Sequence, residues 1–161
     1  MAIEIREIGS KKELKQFICF PFSLYKNDPR WIPPLIRGEL NTLNRKTNPA
    51  YDHCDTLFLM AYRNGVPVGR IAGIINHRYI EQWNKKDARF CWFDVINDLE
   101  VTRALFRKVE GWAKGRGMER IVGPMGFTTF ERQGMLVEGF EEMPTFSGCY
   151  NFPYYPEHMK I

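Results

Sequence analysis

Hydrophobic and polar positions change period several times along this chain, and each change predicts an element. Ile3, Ile5 and Ile8 fall in an alternating stretch, Ala2–Ile8, that predicts a short opening strand. Ser10-Lys-Lys-Glu13 has the form of a capping box. Leu14, Phe17 and Ile18 follow it at helical spacing, so a first helix is expected from Ser10, with Pro21 interrupting it. Pro29, Pro33 and Pro34 then break the chain around Trp31. A second helix is predicted over Leu35–Leu43, with Pro34 at a first helical position, where its missing N–H has no partner to lose.

Two apolar runs, Asp55–Arg63 and Val66–Asn76, flank Asn64-Gly65. That pair favours a type I′ turn, in which both central residues take positive φ, so the two runs read as a β-hairpin. His77–Asn84 reads as a short helix or loop, and Arg89–Val95 as a third strand. Asp98 is a good N-cap, and Val101, Leu105, Val109 and Trp112 form one stripe on the helix that follows. Gly115-Arg-Gly117 ends that helix, and Arg120–Met125 is expected to form a strand. Such a short helix-to-strand link implies a parallel pairing through a right-handed crossover. Beyond Pro124 the chain turns rich in Gly, Pro and aromatics, and Pro156 is expected to open one more short helix.

Composition narrows the class. The 161 residues are 44% hydrophobic and 26% charged, which fits one folded domain and excludes low-complexity disorder. The longest apolar run, Leu57–Tyr62, is far too short for a membrane helix, and the N-terminus has no apolar leader, so a soluble cytoplasmic protein is the expectation. A net charge of +4 is spread out rather than clustered; Glu110 and Glu119 interrupt the densest basic stretch, and nucleic-acid binding is not indicated. The four cysteines form no Cys-x-x-Cys pair, and no metal site is expected; Cys19, Cys91 and Cys149 sit among apolar residues and read as reduced and buried.

The order of elements, together with Ala104-Leu-Phe-Arg-Lys-Val-Glu-Gly-Trp-Ala-Lys-Gly-Arg-Gly-Met-Glu-Arg-Ile121, resembles the GNAT (N-acetyltransferase-like) superfamily. Three further segments look like the N-terminal half of long bacterial GNAT-like proteins that carry a second GNAT-like half. They are 21–34 (from Pro21-Phe-Ser-Leu to Ile-Pro-Pro34), Gly123-Pro-Met-Gly-Phe-Thr-Thr129 and Tyr150-Asn-Phe-Pro-Tyr-Tyr-Pro156. The resemblance implies an α+β fold: a mixed, mostly antiparallel sheet flanked by helices, in a single domain lacking the last helix and strands. An exposed sheet edge would then favour a homodimer.

The resemblance also implies a ligand, acetyl-CoA or another acyl-CoA, held beside Arg89–Val95. It places Phe93, Val95, Thr102, Arg103 and Asn151 as cofactor-binding residues. Glu131 would act as base toward a small-molecule amine acceptor, and Tyr155 would protonate the leaving sulfur. The chain departs from the pattern at one place. Superfamily members carry a glycine-rich loop before the central helix, whose amides receive the coenzyme A diphosphate. Here that stretch is Ile96-Asn-Asp-Leu-Glu-Val-Thr-Arg-Ala104, with no glycine and with Asp98 and Glu100 in the turn. A carboxylate there opposes a diphosphate by about 1 kcal/mol. The alternative is a non-catalytic GNAT-like scaffold or binding module. Asp94, polar within an apolar strand, reads as a base or as a strand-end carboxylate facing water. Arg70 reads as solvated or structural, and Trp31 as core.

Overall fold

The computed structural model describes residues 2–161. A five-stranded sheet runs in chain order: β1 (Ile3–Glu7), β2 (Cys54–Arg63), β3 (Val66–Asn76), β4 (Asp87–Val95) and β5 (Arg120–Val122). The first four strands pair antiparallel, and β5 joins β4 in parallel. Helices α1 (Lys11–Leu24) and α2 (Ile36–Thr42) cover one face, while α4 (Leu99–Lys114) crosses the other. A short α3 (His77–Trp83) links β3 to β4, and α5 (Tyr155–His158) follows a long irregular segment. This is the α+β architecture that the periodicity and the resemblance predict.

The hairpin turn forms as expected, with φ of 52° at Asn64 and 77° at Gly65. The capping box also closes: Ser10 Oγ accepts from Glu13 N–H, and Glu13 accepts from Gly9 N–H and the Ser10 hydroxyl. Alternation along β3 divides the core. Ala72 and Ile74 pack against Phe17 and Ile18 of α1, while Ile71 packs against Val101, Leu105 and Val109 of α4. Gly69 and Gly73 lie on the α4 side, where a Cβ on Gly73 would come within 3.0 Å of the Trp112 ring and 3.2 Å of Val109. The absent side chains let α4 lie directly on the strand.

Several elements differ from their sequence reading. Pro21 does not interrupt α1, which continues to Leu24. Proline leaves the carbonyl four residues back without its helical donor, and here the Arg70 guanidinium fills that place, donating to Phe17 O at 2.7 Å. Pro34 precedes α2 rather than opening it, and Tyr155, not Pro156, is the first residue of α5. The strand β5 ends at Val122 rather than Met125, since Gly123 takes φ 155° and Pro124 has no N–H to continue the ladder. Cys91 is buried as read, but Cys19 and Cys149 are only half-buried; all four cysteines are free thiols.

One irregularity decides what faces where. Between the pairs Arg70–Asp94 and Ala72–Cys91, the two residues Trp92 and Phe93 oppose Ile71 alone, a β-bulge with Trp92 at φ 44°. The extra residue sends Phe93 and Val95 to the α4 side and turns Asp94 to the α1 side, beside Arg70.

The α4 contact predicts that Gly73→Val destabilises the fold by about 1–3 kcal/mol through overpacking. Chemical denaturation checks it, with Gly111→Ala as the contrasting control: nothing meets the added Cβ, and alanine's helix propensity should stabilise α4 by about 0.5–1 kcal/mol.

Candidate functional site

A chain of buried polar groups runs from α1 through the sheet to α5. Arg70, on β3, donates to Phe17 O and pairs with Asp94 at 2.7 Å. Tyr25, at the end of α1, donates its hydroxyl proton to the other Asp94 oxygen at 3.1 Å. The Tyr155 hydroxyl lies 3.0 Å from that of Tyr25 and 3.4 Å from Val95 O, to which it donates, and Val95 N–H donates to the Tyr155 oxygen at 2.9 Å. Tyr154 donates to Val95 O at 2.6 Å. Burial, with the nearby Asp94 charge second, pushes the Tyr25 and Tyr155 hydroxyls well above their ordinary value, so both keep their protons.

This network occupies the place where β4 and β5 separate. The two strands pair only from Asp87–Arg89 to Arg120–Val122, and Met125 N–H then reaches Phe90 O. Further along β4, both main-chain groups of Val95 are taken by tyrosines flanking the start of α5.

The N-terminus of α4 is likewise occupied. The Asp98 carboxylate accepts from Glu100 N–H at 3.0 Å and Val101 N–H at 3.4 Å, and pairs with Arg63 at 2.5 Å. Burial raises the Asp98 carboxyl, but Arg63 and the two amides outweigh it, and the net shift is downward.

Of the expected cofactor residues, Phe93 and Asn151 border one cavity, whereas Val95, Thr102 and Arg103 do not. Phe93 is packed between Phe106 and Tyr155, and Val95 is fully buried. Thr102, expected at a phosphate, is instead 0% exposed, with Oγ1 2.8 Å from His158 Nδ1. Arg103 is on the solvent side of α4. Asn151 is buried and internal: it accepts from Leu136 N–H and donates to the carbonyls of Leu136 and Phe152.

Glu131 and Tyr155, the expected base and acid, do border a common cavity of about 600 Å³ on the α1–α2 side of the sheet. Glu131 accepts from Phe127 N–H at 2.7 Å, over Gly126, where any Cβ would collide with its carboxylate. Burial raises the Glu131 carboxyl above its usual range. Asp94 is more than a strand-end carboxylate facing water: it holds Arg70 and Tyr25 while bordering the same cavity. Trp31, read as core, is only half-buried: it stacks on Tyr25 at 5.2 Å and borders the same cavity.

Residues that the sequence reading missed include Tyr25 and His158. Asp28 was missed as well: it accepts from Arg30 and from the Tyr150 hydroxyl, tying the α1–α2 connection to the segment before α5. The Arg30 guanidinium, opposed by partial burial, holds the Asp28 carboxyl down to about 2. Tyr150 lay within a quoted segment, but nothing local pointed to its partner 122 positions away. No helix among the described residues is long and apolar enough to cross a membrane, and no group of three or more His, Cys, Asp or Glu among them is placed to hold a metal ion.

A mostly antiparallel sheet with a parallel final pair, crossed by an amphipathic helix, is the architecture of the acyl-transfer α+β domains. The fold is that of the GNAT acetyltransferases. The chain superposes over 99% of its length on 42% of a tandem GNAT protein from the clavulanic acid biosynthesis pathway, with TM-score 0.60 and 15% identity. It also matches an acetyltransferase from Clostridium acetobutylicum solved with acetyl-CoA, with TM-score 0.53 and 12% identity over 75% of this chain and 79% of that one. In sequence it is 36% identical over 156 residues to Protein YghO of Escherichia coli, covering 97% of this chain and 40% of that protein. It is 34% identical over 143 residues to the bacterial ceramide synthase of Caulobacter vibrioides, covering 88% of this chain and 37% of that protein. The chain thus spans about two fifths of the length of these curated relatives. No family model matches it.

Replacing Arg70 by Leu strands Asp94 and the Phe17 carbonyl, with an expected loss of about 3–5 kcal/mol; Tyr25→Phe removes the hydroxyl's bonds to Asp94 and Tyr155 and costs about 1–3 kcal/mol. Denaturant midpoints for both variants test that ranking. Burial lowers the His158 pKa, so the folded state favours neutral imidazole. The stability this contributes is complete above the ordinary value of 6.5 and declines as pH falls through and below it. A melting profile from pH 8 to 5 should therefore slope downward, and His158→Gln should flatten that slope.

Proposed function

We propose that this chain is the half of an N-acyltransferase-type protein that does not hold acyl-CoA itself and serves as its acceptor-side scaffold. One observation carries the reading: the N–H and C=O of Val95, which an acyl-CoA arm lying along β4 would use, are bonded to the Tyr155 and Tyr154 hydroxyls. The capped end of α4 supports it, because Asp98 already takes the amides that a diphosphate would need and places negative charge there. The relative named bacterial ceramide synthase supports the reaction type for a longer polypeptide, since a ceramide is an N-acylated amino alcohol. The relatives' greater length leaves room for a cofactor site elsewhere.

A second reading keeps the chemistry in this chain. Glu131 and Tyr155 border one cavity, and acetyl-CoA is bound in a structural neighbour. In that reading Glu131 takes a proton from the ammonium through water, and the amine attacks the thioester carbonyl. The C–S bond then breaks as Tyr155 gives its proton to the departing thiolate, and the second proton of the attacking nitrogen passes through water to restore the Tyr155 hydroxyl. The obstacle is that Tyr155 is buried, its hydroxyl already bonded to Tyr25 and to the main chain of Val95.

Calorimetric titration separates the two. The first reading expects no saturable heat with acetyl-CoA or free coenzyme A up to about 1 mM, equivalent to a binding energy weaker than about 4 kcal/mol. A micromolar Kd for either ligand would overturn it in favour of the second.

A further inference from the structure

The cavity on the α1–α2 side has a divided wall. Its mouth carries three large apolar side chains left in solvent: Phe130 (99% exposed), Leu35 (79%) and Phe146 (78%). Single exposed apolar residues are ordinary, but several around one cavity mark a binding surface. Deeper, the wall carries Glu39 and Glu131. Glu39 accepts from the Trp92 indole N–H at 2.7 Å, and Glu131 from Phe127 N–H at 2.7 Å. Neither is ion-paired among the described residues.

The cations nearby are committed elsewhere. Arg70 is bound to Asp94 and Phe17 O, Arg89 donates to the carbonyls of Gly126 and Phe127, and Arg132 donates to Phe146 O. The inner wall therefore carries two carboxylates without an ion pair, Glu39 and Glu131, with an indole beside them and an apolar mouth; Asp94 is balanced by Arg70, and Arg132, also on the lining, is exposed to solvent. A ligand that answers all three has an ammonium head and one hydrocarbon chain.

We propose that this cavity binds a single-chain cationic amphiphile, its ammonium group between Glu39 and Glu131 beside Trp92 and its hydrocarbon chain against Leu35, Phe130 and Phe146. The site lies away from the occupied Val95 groups, so it stands whether or not coenzyme A binds to this chain.

The test is titration of the 161-residue chain with n-decylamine below its micelle concentration, read by tryptophan fluorescence and calorimetry, since Trp31 and Trp92 both border the cavity. Decanoate and decanol supply the same chain with opposite or no charge, and propylamine supplies the head alone. Saturable decylamine binding, roughly tenfold or more tighter than for the other three, is expected. Glu39→Gln and Glu131→Gln each keep an oxygen for the internal bond they accept, so the fold should survive, as near-ultraviolet circular dichroism will verify. Together they should weaken decylamine by roughly tenfold or more and leave decanol unchanged. Phe146→Ser should weaken decylamine and decanol alike. Equal affinity for decanoate, undiminished decylamine binding by the doubly substituted chain, or no saturable decylamine binding would each overturn the proposal. So would sedimentation with phosphatidylethanolamine vesicles in place of decylamine binding, which would assign the face to a bilayer.

Discussion

The pairing of Arg70 with Asp94 inside the sheet is the constraint around which the rest of this molecule is arranged. Two ions taken out of water cost several kcal/mol each unless every remaining donor and acceptor is satisfied. The chain supplies the partners from distant places. The second carboxylate oxygen takes Tyr25 from the end of α1, and the guanidinium takes the carbonyl that Pro21 leaves open at Phe17. A proline that would ordinarily weaken a helix becomes the means of docking α1 to β3. The bulge at Trp92 belongs to the same solution, because without its extra residue Asp94 would face α4 and Arg70 would lose its partner.

From that pair the polar chain extends to Tyr155 and thence to Val95, and this extension separates the fold's two potential ligand surfaces. On one side, the place where β4 and β5 part is filled by Tyr154, Tyr155 and the His158–Thr102 contact. On the other, the space between α2, β4 and the segment after β5 stays open at about 600 Å³. A sheet that opens at one pair of strands can present its groove to a cofactor or close it with its own side chains. Here the closing groups are hydroxyls in hydrogen-bonding register with a main-chain N–H and C=O, which is why the closure leaves no buried polar group of Val95 unpaired.

How much of this could be read from the sequence follows from the range of each interaction. Asn64-Gly65 declares its turn in two residues, and the stripe Val101, Leu105, Val109 declares α4 in three turns; both formed as read. The parallel placement of β5 followed from a short connection. The errors fall where the deciding partner is far along the chain. Pro21 reads as a break because its compensation comes from Arg70, and Thr102 reads as phosphate-facing because His158, 56 positions on, is what it meets. Asp94 did stand out as a polar residue in an apolar strand, but its burial depends on a bulge with no local signature: Trp92 is not a residue that ordinarily takes positive φ.

That strained tryptophan ties the closed side to the open one. A bulky residue held in the left-handed region is stable only when its surroundings over-determine it, and such strain is of order 1–3 kcal/mol. At Trp92 the surroundings are the Glu39 carboxylate on its indole N–H and edge contacts with Phe58 and Phe127. The same bulge that turns Asp94 inward therefore swings an indole into the cavity wall, where it meets the Glu39 carboxylate of α2. Closure of one surface and the chemistry of the other are thus two consequences of a single inserted residue. A change that straightened β4 would dismantle both at once, whereas a change at the cavity mouth would leave the closed groove untouched.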